Sequence, residues 1–364
     1  MPAERAFAPG EIEPASDDAA PIASGVVGRD VAWPTSTYRS DDPLLTERIL
    51  RQLPGPRLAW MVVWALAAII RPIELVVVLT ATGEAARAGD IGDVFRTQGL
   101  FAYVVLVTLW GAAHLADRIE LLAPSVRSLA GTGPETSPFP RLRSRLGPLA
   151  LTALVVAVAT PTTALEYGSA VAVVDVPLLA IMVLPIMTFV WTYGVLLIGL
   201  DRLGRTRLSL DLFPQDRTLG LAPVGQAAFT GFWLTFAAAA PLLLVSGQDE
   251  ATLVIGVTIV AVTVALFILS MARIHAQMRE AKTRYVTMAR AFVAVAYEPI
   301  RGNGTLEVIQ ERAPALSAAQ AIADRAEKIL EWPVDERMVA FMTVVVTGVV
   351  TSLAVRFVLE AAGL

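Results

Sequence analysis

Cysteine is missing from the sequence altogether. Disulfides, thiolate metal sites, iron–sulfur clusters and cysteine nucleophiles are therefore excluded. Lysine is nearly missing too: Lys282 and Lys328 are the only two among 29 basic residues. Both lie outside the long apolar runs, so no spanning lysine is there to form a retinal Schiff base. Charge is scarce, at 17% of 364 residues with a formal net charge of −4. That balance offers nothing to nucleic acid, and no basic block interleaved with aromatic residues occurs. Phosphate-cradling glycine loops, HExxH, GxSxG and EF-hand loops are absent as well, so neither an enzyme nor a bound cofactor or metal is expected.

What is present is apolar. Hydrophobic residues make up 55% of the chain and the mean hydropathy is +0.62, too apolar for an ordinary soluble domain. A helix crosses a bilayer with roughly 20 mostly apolar residues. Runs of that kind lie near 58–80, 99–116, 149–165, 177–200, 224–245, 253–272 and 338–359. The expected fold is all-α: a polytopic membrane helical bundle of seven transmembrane helices, multi-pass in the cell (inner or plasma) membrane, with the lipid bilayer as its first partner. The excess of arginine over lysine, with much alanine and valine, suggests a GC-rich bacterial genome.

Four regions are expected. Residues 1–45 are rich in Pro, Ala, Asp and Ser and read as a disordered tail. They lack a basic segment followed by an apolar one, so no cleavable signal is expected. A short helix is expected near 41–53, broken by Pro54-Gly55-Pro56, and residues 46–272 hold the first six spans. Residues 273–336 form a helical arm, and 337–364 hold the seventh span. Basic residues set the orientation. Arg118, Arg127, Arg141, Arg143 and Arg145 lie between spans two and three, and Arg202, Arg205, Arg207 and Arg217 between four and five. Arg273, Arg279, Lys282, Arg284 and Arg290 follow span six, whereas the opposite loops hold only Arg87 and Arg96. The N-terminus is thus expected inside, the C-terminus outside and the arm in the cytoplasm. Glu166, Asp175, Asp249 and Glu250 fall in the opposite, outer loops.

Two groups of residues stand out within the spans. Arg71 and Glu74 are three apart in the first span, share a helix face and can pair, while Pro72 between them kinks the helix. Charge at such depth costs at least about 2.5–3.5 kcal/mol per residue on insertion scales and so faces protein or a water-filled cavity. Either a structural ion pair or a gating or substrate-contacting pair fits. In the last span Thr343, Thr347 and Thr351 recur at four-residue spacing on one face, flanked by Gly348 and Ser352. Such a stripe suits tight helix packing on small residues or the wall of a water-filled path. Prolines inside spans one, three, four and five add kinks that neighbouring helices must accommodate.

The arm carries Met278, Ala281, Tyr285, Met288, Phe292 and Val295 at alternating spacings of three and four, a heptad-like seam continuing out of span six. Pro299 and Gly302-Asn303-Gly304 end it. A second arm helix is expected from Ser317, with Gln320 completing a capping box, and it offers Ala319, Ile322, Ala326 and Ile329 at matching spacing. The two arm helices are expected to pack together, within or between subunits. Trp332-Pro333 then makes an elbow into the last span. His114 and His275 fall near the same ends of their helices, which suits two interfacial histidines or a bis-histidine site. His275 precedes the seam as in sensor kinases, but no ATP-binding motif follows.

The layout of seven helices, with a cytoplasmic arm feeding a polar-striped last helix, is similar in topology to insect chemoreceptor-type channels. That resemblance implies a homo-oligomer whose last helix lines a central pore, with the arm seam as an anchor between subunits. The expected function is therefore an oligomeric ion channel or channel-like receptor, for an ion or small-molecule ligand the sequence does not name. Two alternatives are a secondary transporter working around Arg71 and Glu74, and a non-transporting sensor or scaffold whose arm binds a partner.

Overall fold

The computed structural model describes residues 43–81, 91–130, 139, 142–167, 169–210, 217–245, 250–302, 305–334, 338–345, 347–348, 351 and 355. They form eight helices in the order α1 (Leu45–Gln52), α2 (Arg57–Ala81), α3 (Ile91–Ala130), α4 (Leu146–Tyr167), α5 (Ser169–Arg205), α6 (Ala222–Val245), α7 (Glu250–Gly302) and α8 (Leu306–Glu327), with further helical residues at 338–345. No strand occurs among the described residues. The tail to residue 42, the segments 211–216, 303–304 and 335–337, and Ser352 lie outside them.

Four of these helices are long and apolar enough to cross a membrane, within Gln98–Ala130, Leu146–Leu165, Asp175–Arg205 and Gly256–Gly302. A fifth joins them if α1 and α2, bent by 113° at their junction, count as one broken span. Several long apolar helices of this kind are compatible with a membrane protein. α7 is 53 residues long, or about 80 Å at 1.5 Å per residue, against a hydrocarbon core of about 30 Å. More than half of it must therefore project beyond the apolar layer, as the continuous seam predicts.

Glycines let neighbouring helices approach closely. A Cβ on Gly231 of α6 would meet the ring of Tyr193 in α5, and one on Gly147 of α4 would meet Trp191. The main core gathers α3, α5, α6 and α7 around Leu115, Ile119, Leu196, Phe232, Phe267 and Met271, each essentially sealed from solvent. A second cluster, around Ala68, Val105, Met182 and Val183, joins α2, α3 and α5, with α4 against it. The backbone polar groups of such helices are paired internally, which is what makes helices viable in lipid. Threonines inside them return their hydroxyls to their own helix, as Thr108 does to Val104 O at 2.7 Å and Thr192 to Thr188 O at 2.8 Å.

The arm folds back on itself. Tyr285 and Ala289 of α7 are buried in one cluster with Ala326 of α8 and Ile329 just beyond it, so the two helices pack on each other within one chain. One boundary differs. α8 begins after Thr305 rather than at Ser317, and it runs straight through Pro314. The Ser317 hydroxyl donates to Pro314 O at 2.9 Å instead of capping a new helix, because the chain is already helical there.

α1 lies across the end of the bundle that carries the arm. Leu44, Thr46, Glu47 and Leu50 turn inward, and Leu44 joins the main core. Gly55, at φ +98°, provides the left-handed turn into α2 that a side chain would strain, and the Trp60 indole donates to Pro54 O. Glu47 Oε1 lies 3.6 Å from Arg51 and 3.7 Å from Arg57, while its Oε2 is buried with no hydrogen bond. Burial raises the Glu47 carboxyl above its ordinary 4.5, against the pull of Arg51, Arg57 and Arg143. A raised acid binds its proton more tightly in the folded protein. This stabilising contribution is present below pH 4.5 and is lost as pH rises through the folded value. Glu47→Gln is therefore expected to flatten the fall in thermal stability above that pH and to leave the protein no less stable at pH 7. A clear loss of stability at pH 7 would show that the two arginine pairs outweigh burial.

Candidate functional site

Arg71 does not pair with Glu74. Its guanidinium forms a two-pronged bond to Asp175 in α5, Nε to Oδ1 at 2.6 Å and Nη2 to Oδ2 at 2.6 Å. Asp175, expected in an outer loop, instead lies in the second turn of α5, because that helix begins at Ser169. Its residue is only 7% exposed. The fork of arginine matches a carboxylate geometrically, which makes this the strongest class of ion pair a helix interface can hold. Glu74 points to a half-buried position and makes no hydrogen bond or ion pair among the described residues. The site thus holds one cation and two carboxylates, with one carboxylate left over. Proximity in sequence suggested the Arg71–Glu74 pair, whereas only the packing of α2 on α5 could bring in a residue 104 positions away.

The terminal helical stretch has two distinct faces. Met338 and Met342 pack on the main core, and Val345 is buried. Phe341 lies edge-on to Phe229 and Trp233 of α6, with ring centroids 5.9 and 4.9 Å away. Thr343, Thr347, Gly348 and Thr351 are all exposed. At about 100° per residue, Thr347 falls almost opposite the middle of the packed face. The Thr343 hydroxyl donates to Val339 O at 2.9 Å, so this residue is satisfied within its own helix. The crevice between α6 and α7, lined by Phe232, Thr235, Phe236, Val260 and Thr263, has no room for a water molecule.

The arm seam divides in two. Met278 is buried in the main core, and Tyr285 and Met288 pack in the α7–α8 cluster. Phe292 and Val295 are 46% and 73% exposed. The first part of the seam is therefore used inside the chain, and only its last two residues remain open. His114 stacks on Trp110 at 5.0 Å, and His275 on Trp332 at 4.2 Å. His275 Nδ1 also lies 2.8 Å from Glu331 O. Each histidine is engaged separately by its own tryptophan.

What sequence reasoning missed is how firmly the arm is fastened. Gln277 of α7 donates from Nε2 to Gly204 O and Thr206 O, each at 2.8 Å, and its Oε1 accepts from Leu208 N at 3.1 Å. The turn after residue 216 is a second fastening. Leu219, at the unusual φ of +56°, is buried in the arm cluster, while Leu221 is buried in the main core. Arg217 O accepts from Leu330 N at 2.9 Å, and Lys282 reaches Glu331 at 3.4 Å. A left-handed leucine costs roughly 1–2 kcal/mol, so burial on both sides must hold it there. The one sequence signal was the glycine at position 220, also at positive φ.

A scan against protein-family models and searches of curated proteins and of solved structures find no match to this chain.

Proposed function

We propose that this membrane protein is an oligomeric ion channel or channel-like receptor, with its arm in the cytoplasm and its last helix facing a shared axis. The observation that carries this reading is the exposed row of Thr343, Thr347 and Thr351 opposite the face that packs on α6. Lipid gains nothing from a row of hydroxyls, whereas a neighbouring copy or a wetted path does. The arm is bound to α5, the 217–221 turn and the elbow, so movement in it would reach the start of that helix.

Ion flux across proteoliposomes containing only this protein tests the reading. Thr347→Trp is expected to abolish flux while leaving the folded fraction and oligomer size unchanged. A protein that is strictly monomeric in native-like lipid, or flux untouched by tryptophan at 347, overturns it.

The unpaired carboxylate at Glu74 favours a second reading, a secondary transporter coupled to protons or cations at Arg71, Asp175 and Glu74. There, uptake would depend on pH and be lost in Glu74→Gln with Thr347→Trp harmless. Absence of any flux would turn attention to the arm as a docking surface for a cytoplasmic partner.

A further inference from the structure

The ends of α5 and α7 meet at a point where an apolar surface gives way to a group of arginines. Ile198, Asp201, Arg202 and Arg205 share one side of α5, and Leu266, Leu269 and Arg273 share one side of α7. The two helices touch at Gly204, where a Cβ would come within 2.7 Å of the Arg273 Cβ. Ile198, Leu266 and Leu269 are 56%, 46% and 66% exposed. Within one to two turns of them, Asp201 holds two guanidiniums, Arg205 Nη2 at 2.7 Å and Arg273 Nε at 3.3 Å. Arg202, Arg207 and Arg279 are exposed and form no ion pair among the described residues. Gln277 clamps the backbone after α5 onto α7, so these side chains project from a fixed frame.

Arg202, Arg205 and Arg273 set three positive charges against the one carboxylate of Asp201, with Arg207 and Arg279 further along the chain, a local excess of positive charge although the whole chain is acidic. Such an excess repels itself unless an anion sits among it. The guanidinium fork suits phosphate oxygens, and Asp201 spreads two of the forks apart instead of consuming all the charge. Exposed leucine and isoleucine directly alongside would suit a hydrocarbon chain and would offer nothing to a free anion.

We propose that this junction binds one anionic phospholipid. Arg202, Arg205 and Arg273 hold its phosphate, and an acyl chain lies along Ile198, Leu266 and Leu269. The proposal needs only the membrane character of the chain and is independent of the channel reading.

The test is native mass spectrometry of the full-length, delipidated protein titrated with dioleoylphosphatidylglycerol or dioleoylphosphatidylcholine. The anionic lipid should bind with clear preference and weaken as salt is raised from about 0.05 to 0.5 M. Each arginine near an anionic headgroup contributes about fivefold, so Arg202→Gln/Arg273→Gln should lower the affinity by roughly 25-fold. Arg284→Gln/Arg312→Gln, which removes the same charge from the distant arm, should change it little. Asp201→Asn keeps every arginine and releases two, so binding there should be equal or tighter; this variant also decides the matter if the double variant fails to fold. Equal binding of both lipids, equal loss in the arm control, loss in folded Asp201→Asn, or full competition by millimolar inorganic phosphate would each overturn the proposal.

Discussion

Asp175→Ala is expected to destabilise the protein by about 3 kcal/mol, because it strands a guanidinium in the interface between α2 and α5. Arg71 and Asp175 have side chains only 22% and 10% exposed, so water can replace little of the lost interaction. Much of that cost is the stranded charge and not the worth of the bond. Removing both charges should therefore recover most of it: Arg71→Met/Asp175→Leu is expected to lie within about 1 kcal/mol of the parent protein. Denaturation in lipid nanodiscs across this double-mutant cycle measures the coupling directly. If Asp175→Ala costs less than about 1 kcal/mol, the pair is only a loose surface contact. The same cycle bears on transport. A pair that serves only to fix α2 against α5 is dispensable once replaced by apolar residues, whereas a transport site is not.

Gly225→Leu should detach the elbow at 332–334 from α6. Gly225 lies in the first turn of α6, and a Cβ built on it would collide with the carbonyl oxygen of Pro333 and press on Val334. Overpacking usually costs about 1–3 kcal/mol, and a backbone carbonyl gives way less readily than the end of a side chain. The elbow would have to leave α6, taking with it the Trp332–His275 stack and the bond from Leu330 N to Arg217 O. Hydrogen exchange should then rise across 328–334 while the helices of the main core stay protected. Gly194→Ala is the matched control. Nothing lies within 4 Å of its new methyl, and alanine favours a helix, so the protein should be unchanged or slightly more stable. If Gly225→Leu leaves the elbow protected, the arm is not held there.

Some of this molecule could be read without coordinates, and the reason is periodicity. Hydrophobic runs of bilayer length require helices whatever surrounds them, because unpaired backbone groups are so costly in lipid. The continuous seam from Met278 to Met288 likewise required a helix running out of the sixth apolar run. Ala319, Ile322, Ala326 and Ile329 had the spacing to meet it. The threonine row could be placed on one face by counting alone. These are local rules, acting over a few turns of a single helix.

Partner choice is not local, and there the tertiary structure decided. Arg71 chose Asp175 over Glu74 because α5 starts early enough to bring Asp175 into a helix beside α2, a fact that hydropathy alone left in a loop. Ser317 had the signature of a helix start, yet α8 was already under way, since packing on α7 overrides a capping preference of about 1 kcal/mol. The roles of Gln277 and Gly225 had no signature, and that of Leu219 only the glycine beside it, because each depends on what another part of the chain places against it. The sequence by itself determined that this chain is a set of apolar helices with a projecting arm. Only the folded arrangement decided which charges meet, which face of the last helix stays open and how the arm is fastened, because those depend on contacts between residues far apart in the chain.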